Sequence, residues 1–177
     1  SLSLTTDDNQ LRQVRAEVRD DTLVLGLGAG TPLLRPGKVK VELSNDALEG
    51  ISAAGGATVN APLTATKDLV VQATAGARLT LSGASASTTT VTASNGSSVT
   101  ISGLSPELSV VASGGSTVQS AELVAQRVSV KISEGSSTTI SASDEVTGVA
   151  SDGSAVTVVG SPAIAIDATS GSHVTKR

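Results

Sequence analysis

A chain of 177 residues that is 38% hydrophobic can build one domain or one continuous array, yet it has no Phe, Trp, Tyr or Met, so Val, Leu, Ile and Ala must fill any core. These short, largely β-branched side chains favour strands and thin layers, and they leave no aromatic surface on which a nucleobase can stack. A net charge of −4 with acids and bases interspersed, no cysteine, and no apolar run near the length of a membrane span exclude a phosphate-tracking basic stripe, disulfides, thiolate zinc sites and a transmembrane helix.

Residues 1–47 read as an N-terminal hairpin and cap region. Six of the 12 basic and eight of the 16 acidic residues fall within residues 1–50. The stretch "QVRAEVRDDTLVLGLG" alternates Val14, Ala16 and Val18, turns at Asp20–Asp21, and resumes at Leu23, Val24 and Leu25. Alternation with a tight turn predicts a hairpin of polar strands. "TPLLRPGKVKVELS" reads as a loop and then a strand, Val39 to Leu43, leading into the array. Such a segment is expected to cap the first coil of a repeat array. Arg12, Arg15, Glu17 and Arg19 would blunt its free edge, unless that edge is a docking surface for another strand.

Residues 48–177 repeat one phrase, of which "SNGSSVTISG" (Ser94 to Gly103) is the plainest copy. Gly56, Gly76, Gly96, Gly115, Gly135, Gly153 and Gly171 anchor successive units at intervals of 20, 20, 19, 20, 18 and 18 residues. Three residues after each anchor stands Val59, Leu79, Val99, Val118, Thr138, Val156 or Val174; before it, at alternate positions, come sets such as Leu69, Val71 and Ala73, or Val128, Val130 and Ile132. Thr89 and Gly148 interrupt the pattern. Period-two alternation means one face in and one face out. Each unit is therefore a strand, a tight turn, a second short strand and a further turn marked by Gly83, Gly103 or Gly160. Gly55, Asn95, Gly114 and Asp152, each just before an anchor, suit positive φ; Ala75, Glu134 and Ser170 fit that position less well.

A unit this short cannot bury its inner face alone and must stack on its neighbours. A parallel β-solenoid and an antiparallel sandwich both meet that need. Near-constant spacing of like inward residues and the lack of any large core residue favour the solenoid. The expected fold is all-β: a right-handed parallel β-helix of about 18–20-residue coils, forming one continuous domain behind its N-terminal hairpin cap.

The framework "NQLRQVRAEVRDDTLVLG", then "KVKVELSNDALEGISAAGGATV", the recurring "GSSVTISG" and "GGSTV" units, and finally "VTVVGSP" (Val156 to Pro162) resemble the head GIN domain family of auto-transporter adhesins across essentially the whole chain. The resemblance implies a right-handed β-helix related in shape to pectin-lyase-type proteins, a bacterial envelope or extracellular setting, and a role in adhesion. It brings no catalytic residues. Val158 stands where the family has an aromatic, and family members usually begin with a further strand before "SLSLTT".

The residues themselves offer little chemistry: no catalytic, cofactor-binding or metal-ligating residue is assigned, and no cofactor is expected. His173, the only histidine, lies four residues before the C-terminal Arg177, where enclosure for triad work is not expected. The pairs Asp7–Asp8, Asp20–Asp21 and Asp144–Glu145 read as solvated, and Asp68, Glu107, Glu122, Glu134 and Asp152 share no common repeat offset, which argues against a polysaccharide-cleaving face. No Asp recurs at the anchor turns as calcium-binding solenoids require, and Gly55–Gly56 and Gly114–Gly115 are turns, since neither precedes a helix. Asn60, Thr80, Thr100, Gln119, Thr139, Thr157 and Thr175 should form an outward ladder, but the column two residues earlier is broken by Arg78 and His173, which weakens an ice-binding reading. The sequence thus points to a non-enzymatic extracellular or cell-envelope adhesion or scaffold protein with a protein or cell-surface partner. A self-assembling filament or oligomer subunit, associating end to end or by its edges, is the alternative. No nucleic acid and no membrane span are expected.

Overall fold

The structure is a computed structural model that describes residues 2–5, 14–19, 22–27, 40–43 and 48–177. The chain divides into two compact units, Ser1–Asp46 and Ala47–Arg177. The first holds β1 (Leu2–Thr5), β2 (Val14–Arg19), β3 (Thr22–Leu27) and β4 (Lys40–Leu43). β2 and β3 form the expected antiparallel hairpin, with Ala16 opposite Leu25 and Val18 opposite Leu23. The strand expected from Val39 to Leu43 is described from Lys40, and it pairs antiparallel with β1, the "SLSLTT" stretch itself. Asp7–Asp8, Arg12, Asp20–Asp21 and Val39 lie outside the described residues.

The second unit is a single 14-stranded sheet wound on itself. Its strands are β5 (Gly50–Ala53), β6 (Thr58–Pro62), β7 (Ala65–Ala73), β8 (Arg78–Ala93), β9 (Ser98–Leu104), β10 (Glu107–Ala112) and β11 (Thr117–Ser120). There follow β12 (Leu123–Val124), β13 (Arg127–Ile132), β14 (Ser137–Ser141), β15 (Glu145–Ala150), β16 (Ala155–Val159), β17 (Ala163–Ala168) and β18 (His173–Lys176). Every pairing among them is parallel. One side stacks β5, β7, the end of β8, β10, β13, β15 and β17; the other stacks β6, the start of β8, β9, β11, β14, β16 and β18. Registers advance from coil to coil by the same intervals as the anchor glycines: Val59 pairs with Leu79, Leu79 with Val99, Val99 with Val118, Val118 with Thr138, Thr138 with Val156 and Val156 with Val174. This is a parallel β-helix of about six turns. Among the described residues there is no helix, and so none that could cross a membrane.

The core is the stack of inward positions. Val71, Val91, Val110 and Val130 lie in register and are buried, as are Leu69, Leu108 and Val128. Val158, where the resemblance implies an aromatic, is fully buried. Gly148 continues the Val130 column, and it is more than an interruption: its φ is +140°, and a Cβ there would stand 1.9 Å from the Val130 carbonyl oxygen. Thr89 and Thr138 are buried in the same stacks, and their hydroxyls have no hydrogen-bond partner.

The anchor turns are built alike in all seven units. Both central residues have positive φ, including Ala75 (50°), Glu134 (55°) and Ser170 (52°), the three that local preference disfavours. Stacking explains the override. Gly56 N donates to Ala75 O, Gly76 N to Asn95 O, Gly115 N to Glu134 O and Gly153 N to Ser170 O, all at 2.9–3.0 Å, so each turn is clamped to the next. Just inside these turns Ser97, Ser116, Ser136 and Ser154 are buried. Ser97 Oγ donates to Ala73 O, Ser116 Oγ to Ser113 O and Ser154 Oγ to Ile132 O, while Ser136 Oγ accepts from Ser116 N. Opposite the turns the coil rounds a corner at residues 62–67, 82–87, 102–106, 121–126, 141–144 and 159–162. The shorter coils lose their residues at this corner, and Pro62, Pro106 and Pro162 sit in it.

Two pairs of substitutions test this account by chemical denaturation. Val130→Asp should cost several kcal/mol, because the stack offers a buried charge no partner, whereas Thr138→Val should gain about 1–2 kcal/mol by removing an unsatisfied hydroxyl. Gly115→Val should cost about 1–2 kcal/mol or more through strain at positive φ, whereas Glu134→Gly should gain about 1 kcal/mol. Equal shifts within either pair would contradict the register or the turn assignment.

Candidate functional site

With the inward positions committed to the core, any recognition must come from the outward columns. On the β6–β18 side, Thr80, Thr100, Thr139, Thr157 and Thr175 fall in one ladder with Asn60 and Gln119, as expected. The neighbouring column runs Thr58, Arg78, Ser98, Thr117, Ser137, Ala155 and His173, with Thr117 Oγ1 and Ser137 Oγ 3.4 Å apart. Arg78 and His173 are exposed and interrupt it near its two ends. His173 has no acid or nucleophile in its register pairing, which is to Ala155.

The β5–β17 side differs. Here Asp68 pairs with Thr88, Thr88 with Glu107, Glu107 with Arg127, and Arg127 with Glu145, so one column carries three acids and a guanidinium. Asp68, Glu107, Glu122, Glu134 and Asp152 still share no single offset, but two of them, Asp68 and Glu107, share one with Glu145. Asp68, Glu107 and Glu145 each lie eight residues before an anchor glycine, as does Arg127. Counting Glu145 with its neighbour Asp144 concealed the pattern. The two point apart: Asp144 accepts a hydrogen bond from Ser143 Oγ at 2.6 Å, while Glu145 joins the column. Glu122, Glu134 and Asp152 do stand elsewhere, in a corner and in two anchor turns.

Beside the charged column runs one of small hydroxyl residues, Thr90, Ser109, Ser129 and Thr147. Long side chains next to short ones leave a furrow. It is an open trough of about 420 Å³ lined by Thr88, Glu107, Ser109, Arg127, Ser129, Glu145 and Thr147, with Leu108 and Val128 at its floor. Arg127 Nη2 donates to Glu107 Oε1, and both side chains remain about half exposed. No group of three or more His, Cys, Asp or Glu among the described residues is arranged to hold a metal.

A β-helix with this repeat defines a class of surface-presenting solenoid rather than an enclosed pocket protein. The family model described as "Putative auto-transporter adhesin, head GIN domain" matches residues 1–162, and the chain belongs to that family. A crystal structure described as a "putative adhesin" from Bacteroides fragilis NCTC 9343 superposes with a TM-score of 0.92 at 18% identity, covering 99% of this chain and 82% of that one. A second, described as a "putative lipid binding protein" from Parabacteroides distasonis ATCC 8503, gives a TM-score of 0.70 at 13% identity, covering 99% and 83%. At these identities the likeness is one of fold. No curated protein matches the chain.

Because the Glu107–Arg127 pair is exposed, it contributes little to folding. Arg127→Ala should change unfolding free energy by no more than about 1 kcal/mol in a denaturant titration. A larger loss would mean that the column is part of the scaffold rather than a surface on it.

Proposed function

We propose that this protein is a non-enzymatic extracellular or cell-envelope module that adheres to a cell-surface partner through the furrowed face of its solenoid. The observation that carries the reading is the column Asp68–Thr88–Glu107–Arg127–Glu145 beside its hydroxyl floor. Its polar groups are fixed at strand spacing by a fully bonded backbone, which preorganises a binding surface. Family membership supports the envelope setting and the adhesive role. The same face argues against turnover, since its charged groups lie open to solvent, with Glu107 engaged by Arg127. General acid–base carboxylates work where their surroundings bring proton affinity close to the working pH.

Beads coated with the folded chain should be retained on bacterial or animal cells several-fold better than beads coated with the unfolded Val130→Asp variant. Equal retention would overturn the adhesive reading. Release of reducing ends from a polysaccharide, abolished by Glu107→Gln, would overturn the non-enzymatic one.

A further inference from the structure

We infer that the furrow on the β5–β17 side binds a neutral, hydroxyl-rich glycan lying along the solenoid axis. The inference rests on the adhesion reading and names its ligand class. The furrow crosses strands: Glu107, Arg127 and Glu145 are successive rungs, as are Ser109, Ser129 and Thr147. Its polar groups therefore repeat about every 4.8 Å along the axis, the spacing between neighbouring strands.

That repeat discriminates among long ligands. An extended peptide advances about 3.3 Å per residue and presents like-facing side chains about twice that distance apart, so it falls out of step with the rungs. Peptides that add to a sheet also need an unpaired edge, whereas β10 and β13 are paired on both sides. Nucleic acid would bring phosphates against a column with three acids and one base. An extended pyranose chain advances by nearly one rung per ring and carries hydroxyls on both edges.

The groups in the furrow match such a chain. A carboxylate such as Glu145 can accept two hydrogen bonds from a vicinal diol, a guanidinium can donate two to neighbouring oxygens, and Ser or Thr hydroxyls can do either. The charge balance selects further. The furrow holds Glu107 and Glu145 against Arg127, which is already paired with Glu107, so uronate or sulfate groups would meet net negative charge. With no aromatic residue in the chain, no ring-stacking platform is available, and recognition must come from hydrogen bonds. Each site is then weak, and firm attachment comes from many copies on one polymer.

Native gel electrophoresis through soluble polysaccharides tests this. Dextran, mannan and xyloglucan serve as neutral probes and polygalacturonate as the acidic one. At least one neutral polymer should retard the intact chain. Arg127→Ala and Ser129→Val should each weaken that retardation by about fivefold or more, the loss of a typical hydrogen bond, with melting temperature unchanged. Glu122→Gln, in a corner away from the furrow, should behave as the parent. Retardation by none of the neutral polymers, stronger retardation by polygalacturonate, or equal losses in all three variants would overturn the inference. If coated beads still adhere to cells while the gels show nothing, the glycan inference falls and the adhesion reading stands. If a retarding polymer is also cleaved, the glycan site stands and the non-enzymatic reading falls.

Discussion

Most inward side chains in the solenoid lie between two neighbours of nearly the same kind, one strand spacing above and one below. The backbone hydrogen bonds between coils impose this arrangement, since they hold Val71, Val91, Val110 and Val130 in one register. A residue that fits once must fit its own repeat, which is why a chain without Phe, Trp, Tyr or Met can still close a core. The constraint reaches the turns. Glu134 adopts a left-handed conformation because Gly115 N requires its carbonyl there. It reaches the serines too, whose buried hydroxyls are tolerated because each has a fixed oxygen or N–H within reach.

The same register that builds the core organises the surface. Any outward position recurring at a constant offset becomes a straight column, so charges far apart in sequence become neighbours. In the furrow the order is acid, base, acid, with Arg127 between Glu107 and Glu145. Like charges directly opposite on adjacent strands would be unfavourable. Interleaving the base keeps two carboxylates on one face without that penalty, and leaves both able to accept hydrogen bonds from outside.

Much of this was legible because the anchor glycines report the register directly. Their intervals reproduce the strand pairings, and the inward residues counted from them are buried over most of the array. What stayed hidden had physical causes. Ala75, Glu134 and Ser170 look wrong for positive φ when judged alone, but bonds from the adjacent coil outweigh local preference. Gly148 looks like a gap until the Val130 carbonyl beneath it is considered. The acidic column was obscured because Asp144–Glu145 resembles a local pair, while its meaning lies in the next coil. The pairing of Leu2–Thr5 with Lys40–Leu43 joins distant segments that share no repeat, and nothing in their spacing announces it.

The corner at 102–106, 121–126 and 141–144 has a different standing from the rest of the coil. It already varies in length between coils while the strands on either side keep their pairing. Each of these corner segments ends immediately before a furrow residue: Glu107, Arg127 or Glu145. The corner is itself paired in places, Gly103 with Leu123 and Leu104 with Val124, so an insertion there would trade those local pairs for a wall beside the furrow while the long strands on either side keep their register. Loop length at this corner could thus change what the furrow grips without moving the furrow residues themselves.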